Sequence, residues 1–341
     1  MAQINKPNTY FNTKLYTGTG ATQSITGVGF QPDFTWIKGR TYIEDHMLQN
    51  SISGSTKTLR SNSTGAEYTP TGGLSSFDAD GFSMGSDVAM NKVSESMCSW
   101  NWLAGGTASS NTDGSITSQV SANTTSGFSI VSYTGTGSGG ATVGHGLGVA
   151  PKAVIVKSRG SAQNWFVNYP FGTGNGYIML NQTDAGDGAN STVWNSTAPT
   201  SSVVTLGTSV GVNDTTNYIM YCFAEKKGFS KFGSYTGNGA VSGPFIYLGF
   251  KPAFFLFKES SAVDNWIMQD NKRLGYNKRN DMLFPNLSDA EYATDRIDFV
   301  SNGVKINNDD GSINQSGQTY IYMAFAENPL VGTNNIPATA R

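Results

Sequence analysis

Tyr133-Thr134-Gly135-Thr136-Gly137 opens a stretch whose outline recurs twice, at Tyr16-Thr17-Gly18-Thr19-Gly20 and at Tyr235-Thr236-Gly237-Asn238-Gly239. Each copy runs through a Gly-rich segment to a Gly-x-x-Pro element ending at Pro32, Pro151 or Pro252, with Tyr-to-Pro separations of 16, 18 and 17. An apolar run follows and ends in a lysine six positions beyond the proline, at Lys38, Lys157 and Lys258; eight positions further stand His46, Trp165 and Trp266. Each copy then carries an Asn-x-Thr/Ser element, at Asn62, Asn181 and Asn286, and closes on Trp100-Asn101-Trp102, Tyr221-Cys222-Phe223 or Met323-Ala324-Phe325. From lysine to last aromatic the distances are 64, 66 and 67, so three segments of 87 to 91 residues are expected to share one backbone path. That length is too great for a solenoid unit and suits a compact module, arranged either in a row or as lobes around one axis.

Within a module the elements read as strands. Ala153 to Lys157 and Ala253 to Lys258 are continuous apolar runs behind a proline, as in a strand buried on both faces, and the proline is expected at the strand start. Asn164 to Val167 and Asn265 to Met268 follow a polar turn and complete a hairpin. Phe77 to Phe82 and Phe299 to Val304 are further hairpin signals, and no long apolar period of 3.6 residues appears. The expected fold is all-β: three tandem homologous β-sandwich-like modules of antiparallel strands with little helix. The expected boundaries are 1–104, 128–226 and 227–328 for the modules, 105–127 for a Ser/Thr/Gly-rich linker and 329–341 for a tail.

Composition agrees with this and narrows the functions. Of 341 residues, 41 are Gly, 12% are aromatic and 13% charged, which favours short strands and turns. The net charge is -2 with no basic run, so nucleic acid is not an expected partner. No apolar run is long enough to span a bilayer and Met1 to Tyr10 are polar, so a soluble protein without a signal peptide is expected. Cys98 and Cys222 lie in apolar stretches and read as buried unpaired thiols.

Chemistry is sparse. His46 and His145 are the only histidines and no Cys-x-x-Cys occurs, so no metal and no cofactor is expected. Asp78/Asp80, Asp184/Asp187 and Asp309/Asp310 are the local carboxylate pairs a glycan hydrolase would use. Each lies in a Gly/Asn/Ser turn, where Asp is favoured for capping its own backbone, and the same turns lack the further ligands of a calcium loop. The Gly-x-Gly strings lack the Gly-Lys-Ser/Thr of a phosphate loop. No catalytic residue is therefore assigned. Tyr42, Tyr68, Tyr169, Trp194 and Tyr276, in or near loops, are the aromatics placed to stack on sugars or protein partners. The scaffold is assigned to Tyr16, Tyr133, Tyr235, the three prolines and three lysines, Trp165 and Trp266.

Tyr16 to Gly20, Ile25 to Lys38 and Tyr320-Ile321-Tyr322-Met323-Ala324-Phe325-Ala326-Glu327 give the chain a resemblance to an uncharacterised family of virion structural proteins, tail or fibre in type, from tailed bacteriophages of marine bacteria and cyanobacteria. The resemblance covers nearly the whole chain and brings no catalytic residues with it. It implies a virion location and a non-enzymatic protein of the tail or fibre class, assembling with copies of itself, a trimer being favoured, and with other virion proteins. Its loops would meet host surface glycans or other receptors. A capsid decoration or head-fibre protein, and a glycan depolymerase, are the alternatives.

Overall fold

The computed structural model describes residues 3–169, 176–273 and 281–332. Among the described residues the chain is built of antiparallel strands, and helix is confined to single turns at Pro7–Thr9, Val88–Asn91, Ser191–Trp194 and Gly311–Asn314. The first stretch holds β1 (Phe11–Thr17), β2 (Gln23–Thr26), β3 (Phe34–Gly39), β4 (Met47–Asn50), β5 (Leu59–Arg60), β6 (Leu74–Asp78), β7 (Gly81–Met84) and β8 (Ser96–Trp102). After β9 (Ser109–Asn111) and β10 (Ser118–Asn123), the second holds β11 (Phe128–Thr134), β12 (Thr142–Gly144), β13 (Ala153–Ser158), β14 (Phe166–Tyr169), β15 (Gly176–Met179), β16 (Val203–Thr205) and β17 (Asn217–Phe223). The third holds β18 (Ser230–Thr236), β19 (Phe245–Tyr247), β20 (Phe250–Glu259), β21 (Trp266–Asp270), β22 (Ile297–Val300), β23 (Gly303–Ile306) and β24 (Thr319–Pro329).

One pairing scheme occurs three times. The opening strand pairs with the closing strand, whose other edge takes the strand of the apolar run, and that strand pairs with its hairpin partner. The resulting orders are β1-β8-β3-β4, β11-β17-β13-β14 and β18-β24-β20-β21, with a small sheet packed on each. The closing strands show why three sheets become one body. Trp100 and Trp102, Tyr221 and Phe223, and Met323 and Phe325 point to one face and join a single apolar core fed by all three sheets. The alternate residues, such as Met97, Met220 and Tyr322, face the small sheets through three separate cores. In the shared core Phe34 meets Tyr221 at 4.5 Å, Trp102 meets Phe325 at 5.6 Å and Phe223 meets Phe325 at 5.9 Å. Each such ring pair contributes about 0.5–1.5 kcal/mol beyond the area it buries. The three sheets therefore surround a common centre and do not stand in a row.

The repeated strings have repeated jobs. The hydroxyls of Tyr16, Tyr133 and Tyr235 donate to the carbonyls of Met90, Val212 and Ile313 at 2.7, 2.6 and 2.8 Å. The residue after each carbonyl is a buried asparagine, and Asn91, Asn213 and Asn314 accept through Oδ1 from the amides of Thr19, Thr136 and Asn238. Gly18, Gly135 and Gly237 lie so close to this returning turn that a Cβ would stand 2.1 to 2.2 Å from a backbone oxygen, which only glycine tolerates. In the Asn-x-Thr/Ser elements, Oδ1 of Asn62, Asn181 and Asn286 accepts from the amides of His46, Trp165 and Trp266.

The third residue of that element links one stretch to the next. The Thr64 carbonyl accepts from the Gln163 amide at 3.0 Å, that of Thr183 from Asp264 at 2.9 Å and that of Ser288 from Glu44 at 2.8 Å. The second stretch thus holds the first, the third holds the second, and the first holds the third, so the circle closes. The repeated lysines sit at these junctions, fully buried. Lys38 donates to the carbonyls of Gly39 and, across the junction, Ser288 (3.3 Å); Lys157 donates to Ser158 and, across the junction, Thr64 (3.1 Å). Lys258 donates to the carbonyls of Glu259 and Ala262. Burial lowers the pKa of all three lysines to about 8. The Arg159–Glu67 pair at 2.8 Å and the Arg40–Glu291 pair reinforce two junctions.

Two expectations need correction. Residues 105–127 are not a linker: β10 pairs with β11 and β9 with β10, extending the second sheet. Ile116 and Val120 enter the second core, while Ser, Thr and Asn side chains cover the outer face of a ladder held by backbone bonds. Pro252 is not at a strand start but inside β20, where register shifts flank it, so the ladder bulges around its missing N–H. Pro32 and Pro151 do precede their strands, β24 runs to Pro329 across the boundary placed at 328, and Cys98 and Cys222 are buried and unpaired.

Candidate functional site

The aromatics singled out from sequence do not form one surface. Tyr42 and Tyr68 are half-buried against the outer core of the first stretch, and the Tyr42 hydroxyl donates to the Val88 carbonyl. Tyr169 packs on the shared core. Trp194 is fully buried in the second core, which corrects its assignment to a binding face: Asn190 caps the turn Ser191–Trp194 and turns the indole inward. Tyr276 lies outside the described residues.

Three of the candidate acids, Asp78, Asp80 and Asp310, anchor turns. Asp78 accepts from the hydroxyls of Ser76 and Ser83, and Asp80 from the amides of Gly27 and Gly29, which hold its pKa below the usual value. Asp310 caps Gly311–Asn314 and pairs with Arg296 at 2.8 Å. His46 is buried, with Nδ1 accepting from the Trp36 indole at 2.9 Å; burial first, and then the Lys38 charge, hold its imidazole well below the usual range. Among the described residues no three His, Cys, Asp or Glu side chains converge to hold a metal, and no helix is long and apolar enough to cross a membrane.

Two depressions lie at one end of the ring, where the opening strands begin and the closing strands finish. The larger, a groove of about 550 Å³ between the second and third stretches, is edged by Lys152, Lys227, Lys231 and Tyr247. Its buried Ser230 hydroxyl is satisfied, accepting from the Lys226 amide and donating to the Ala224 carbonyl.

The smaller, about 280 Å³, lies between the first and third stretches and is polar, with Thr13, Asn271, Lys6, Lys272 and Glu327 in its walls. Thr13 and Asn271 are each only 6% exposed, yet the Thr13 hydroxyl and both polar atoms of Asn271 have no hydrogen-bond partner among the described residues. Polar groups left so cost about 1–3 kcal/mol each.

The loop that carries Asn271 is held from beneath. The Asn271 amide donates to the Ala253 carbonyl at 3.0 Å. Asp270 Oδ1 accepts from the amides of Lys272 and Arg273, while Oδ2 accepts from Arg273 Nε at 2.6 Å and the Trp100 indole at 3.0 Å. Burial alone would raise the Asp270 pKa; the Arg273 charge and these hydrogen bonds outweigh it and hold the carboxylate below the usual range. Arg273 continues to Glu291 at 3.8 Å, and Glu291 to Arg40, so the support spans the first and third stretches. Beside them Asp281 is pushed up to about 7, by burial first and then by its hydrogen bond to Glu291.

Sequence reading missed Asn91, Asn213 and Asn314, although each stands 10 or 11 residues before the last aromatic of its stretch. It also missed Thr13 and Asn271, which no spacing connects. No curated protein and no solved structure matches the chain. The model of a domain of unknown function, DUF7483, matches residues 6–329, and the chain therefore belongs to the DUF7483 family.

Proposed function

We propose that the three stretches are copies of one β-sandwich-like module of about 90 residues, and that the closed ring is a non-enzymatic structural part of a phage virion, of the tail or fibre class. In this reading it assembles with copies of itself and meets receptors on the host surface. The carrying observation is how the repeated polar side chains are used. Lys38, Lys157, Lys258 and the Asn and Tyr repeats point at backbone carbonyls and amides that hold the ring together. Catalytic sites instead gather perturbed titratable groups at a cleft where a substrate can reach them. A ring of threefold outline also suits stacking along the axis of a fibre, where like surfaces meet like.

Immunogold labelling of virions with antibody raised against the full chain tests the reading. Label on the tail or its fibres is expected. Label confined to the head would move the protein to capsid decoration, and absence of the chain from purified virions by mass spectrometry would overturn the structural role altogether.

A further inference from the structure

We propose that the ring is a clamp that opens at one of its three seams, the one between the second and third stretches, while the sheets on either side stay folded. The seams are built from equivalent positions, so they compare residue by residue. Each has two backbone bonds. Between the first and second stretches the Gln163 amide donates to the Thr64 carbonyl and Glu67 to Arg159; between the second and third, Asp264 donates to Thr183 and Gly186 to Ser260; between the third and first, Glu44 donates to Ser288 and Glu291 to Arg40. The Trp165 and Trp266 indoles add a bond across their seams, to the carbonyls of Arg60 and Met179, both at 2.9 Å.

The side-chain clasps differ. Two positions beyond the buried lysines stand Arg40, Arg159 and Ser260, and five beyond the repeated asparagines stand Glu291, Glu67 and Gly186. Two seams therefore carry a bidentate, charge-assisted Arg–Glu pair, where the remaining one has Ser260 and Gly186. A glutamate has no room there, since a Cβ on Gly186 would stand 1.9 Å from the Tyr169 hydroxyl. Four positions after His46, Trp165 and Trp266 come Asn50, Tyr169 and Asp270. Asn50 donates to the Tyr221 hydroxyl at 3.1 Å and Asp270 accepts from the Trp100 indole at 3.0 Å, each reaching the closing strand of the next sheet. The equivalent pair at the second-to-third seam is Tyr169 and Met323, and both line an apolar void of about 30 Å³ with Leu180, Phe232, Leu256 and Trp266. Atoms that border a void have no partner on one side and forfeit dispersion energy. Lys38 and Lys157 cross their seams to Ser288 and Thr64, whereas Lys258 donates to Glu259 and Ala262 of its own stretch. The groove of about 550 Å³ lies at the end of this same seam. Every difference thus falls on one seam, whose parting is the least costly sub-global opening of the ring. The first stretch then still grips both of the others. This goes beyond the virion reading and stands without it.

The test is amide hydrogen exchange on the full chain, resolved to single residues and expressed as protection factors. Asp264 and Gly186 are expected to be protected at least about tenfold less than their equivalents Gln163, Glu67, Glu44 and Glu291, because hydrogen bonds to charged groups at the other two seams must break before those open. Fraying of a loop would give the same exchange without parting the sheets, so a second readout addresses the core. The thiol introduced by Leu256→Cys, at the void, should react with a small thiol reagent at least about tenfold faster than the buried Cys98 and Cys222 of the same chain. Arg159→Met removes one clasp and should raise exchange at Glu67 and Gln163 by about tenfold while leaving Glu44 and Glu291 unchanged. Equal protection at the three seams, a Leu256→Cys thiol no faster than Cys98, or exchange at Glu67 and Gln163 indifferent to Arg159→Met overturns the proposal. Exchange of the unaltered chain decides the matter even where a variant fails to fold.

Discussion

Replacing Lys157 by methionine separates the contribution of a buried ammonium from everything else in the ring. Lys157 is fully buried, and burial lowers its pKa from 10.5 to about 8. Because the folded value lies below the unfolded one, the unfolded chain keeps its proton where the native chain has shed it. Native stability therefore rises with pH across that window and levels off above the unfolded value. Between about pH 7 and about pH 9.5 the difference in proton binding is worth roughly 2 kcal/mol in favour of the folded state. Cys98 and Cys222 act oppositely over the same range, since burial raises both thiols, but they do so equally in wild type and variant. The measurement is urea unfolding followed by tryptophan fluorescence, for both proteins, at a series of pH values. The stability of wild type minus that of Lys157→Met should grow by about 2 kcal/mol from pH 7 to pH 9.5. A difference that stays flat refutes the buried-ammonium account of the junction.

Asn181→Ala removes the acceptor of the Trp165 amide and should cost about 1–3 kcal/mol in the same unfolding assay, with Asn286→Ala costing a similar amount at Trp266. Arg273→Met leaves Asp270 buried and uncompensated, so a loss of about 3–5 kcal/mol is expected, and Asp270→Asn in the same chain should restore most of it. Asp281 has a folded pKa raised to about 7, so its protonated form stabilises the fold below its unfolded value and that stability is lost as pH rises through about 7. Thermal melts should accordingly show Asp281→Asn gaining on wild type between about pH 4 and about pH 7, and a constant gap would refute the assignment.

The repeat was legible because each of its positions answers to a backbone group of fixed geometry. The Tyr hydroxyl, the glycine beneath the returning turn and the Asn before Trp165 or Trp266 are dictated by neighbours in the same stretch, so their spacing survives in the sequence. The junctions were less legible. Lys157 announces a strand end but not its partner, Thr64, which lies 93 residues away. The strands at 109–111 and 118–123 escaped because their ladder is made of backbone groups and only Ile116 and Val120 mark a buried face. Trp194 misled because its Asn/Ser/Thr surroundings read as loop, whereas one capped turn suffices to bury an indole. The pocket was invisible for a simpler reason: Thr13 and Asn271 belong to different stretches and line one depression only when the ring closes.

That closure has a consequence for biosynthesis. The Lys38 ammonium finds the Ser288 carbonyl 250 residues downstream. At ribosomal speeds of about 5–20 residues per second, the wait between the two is on the order of 10–50 s. Throughout that interval the inner faces of the earlier sheets, with Trp36, Trp100 and Trp102, lack the aromatic neighbours that will cover them. A chain of this design gives nascent polypeptide and chaperone a long shared interval, and a truncated product would retain a sticky face that no local rearrangement can hide.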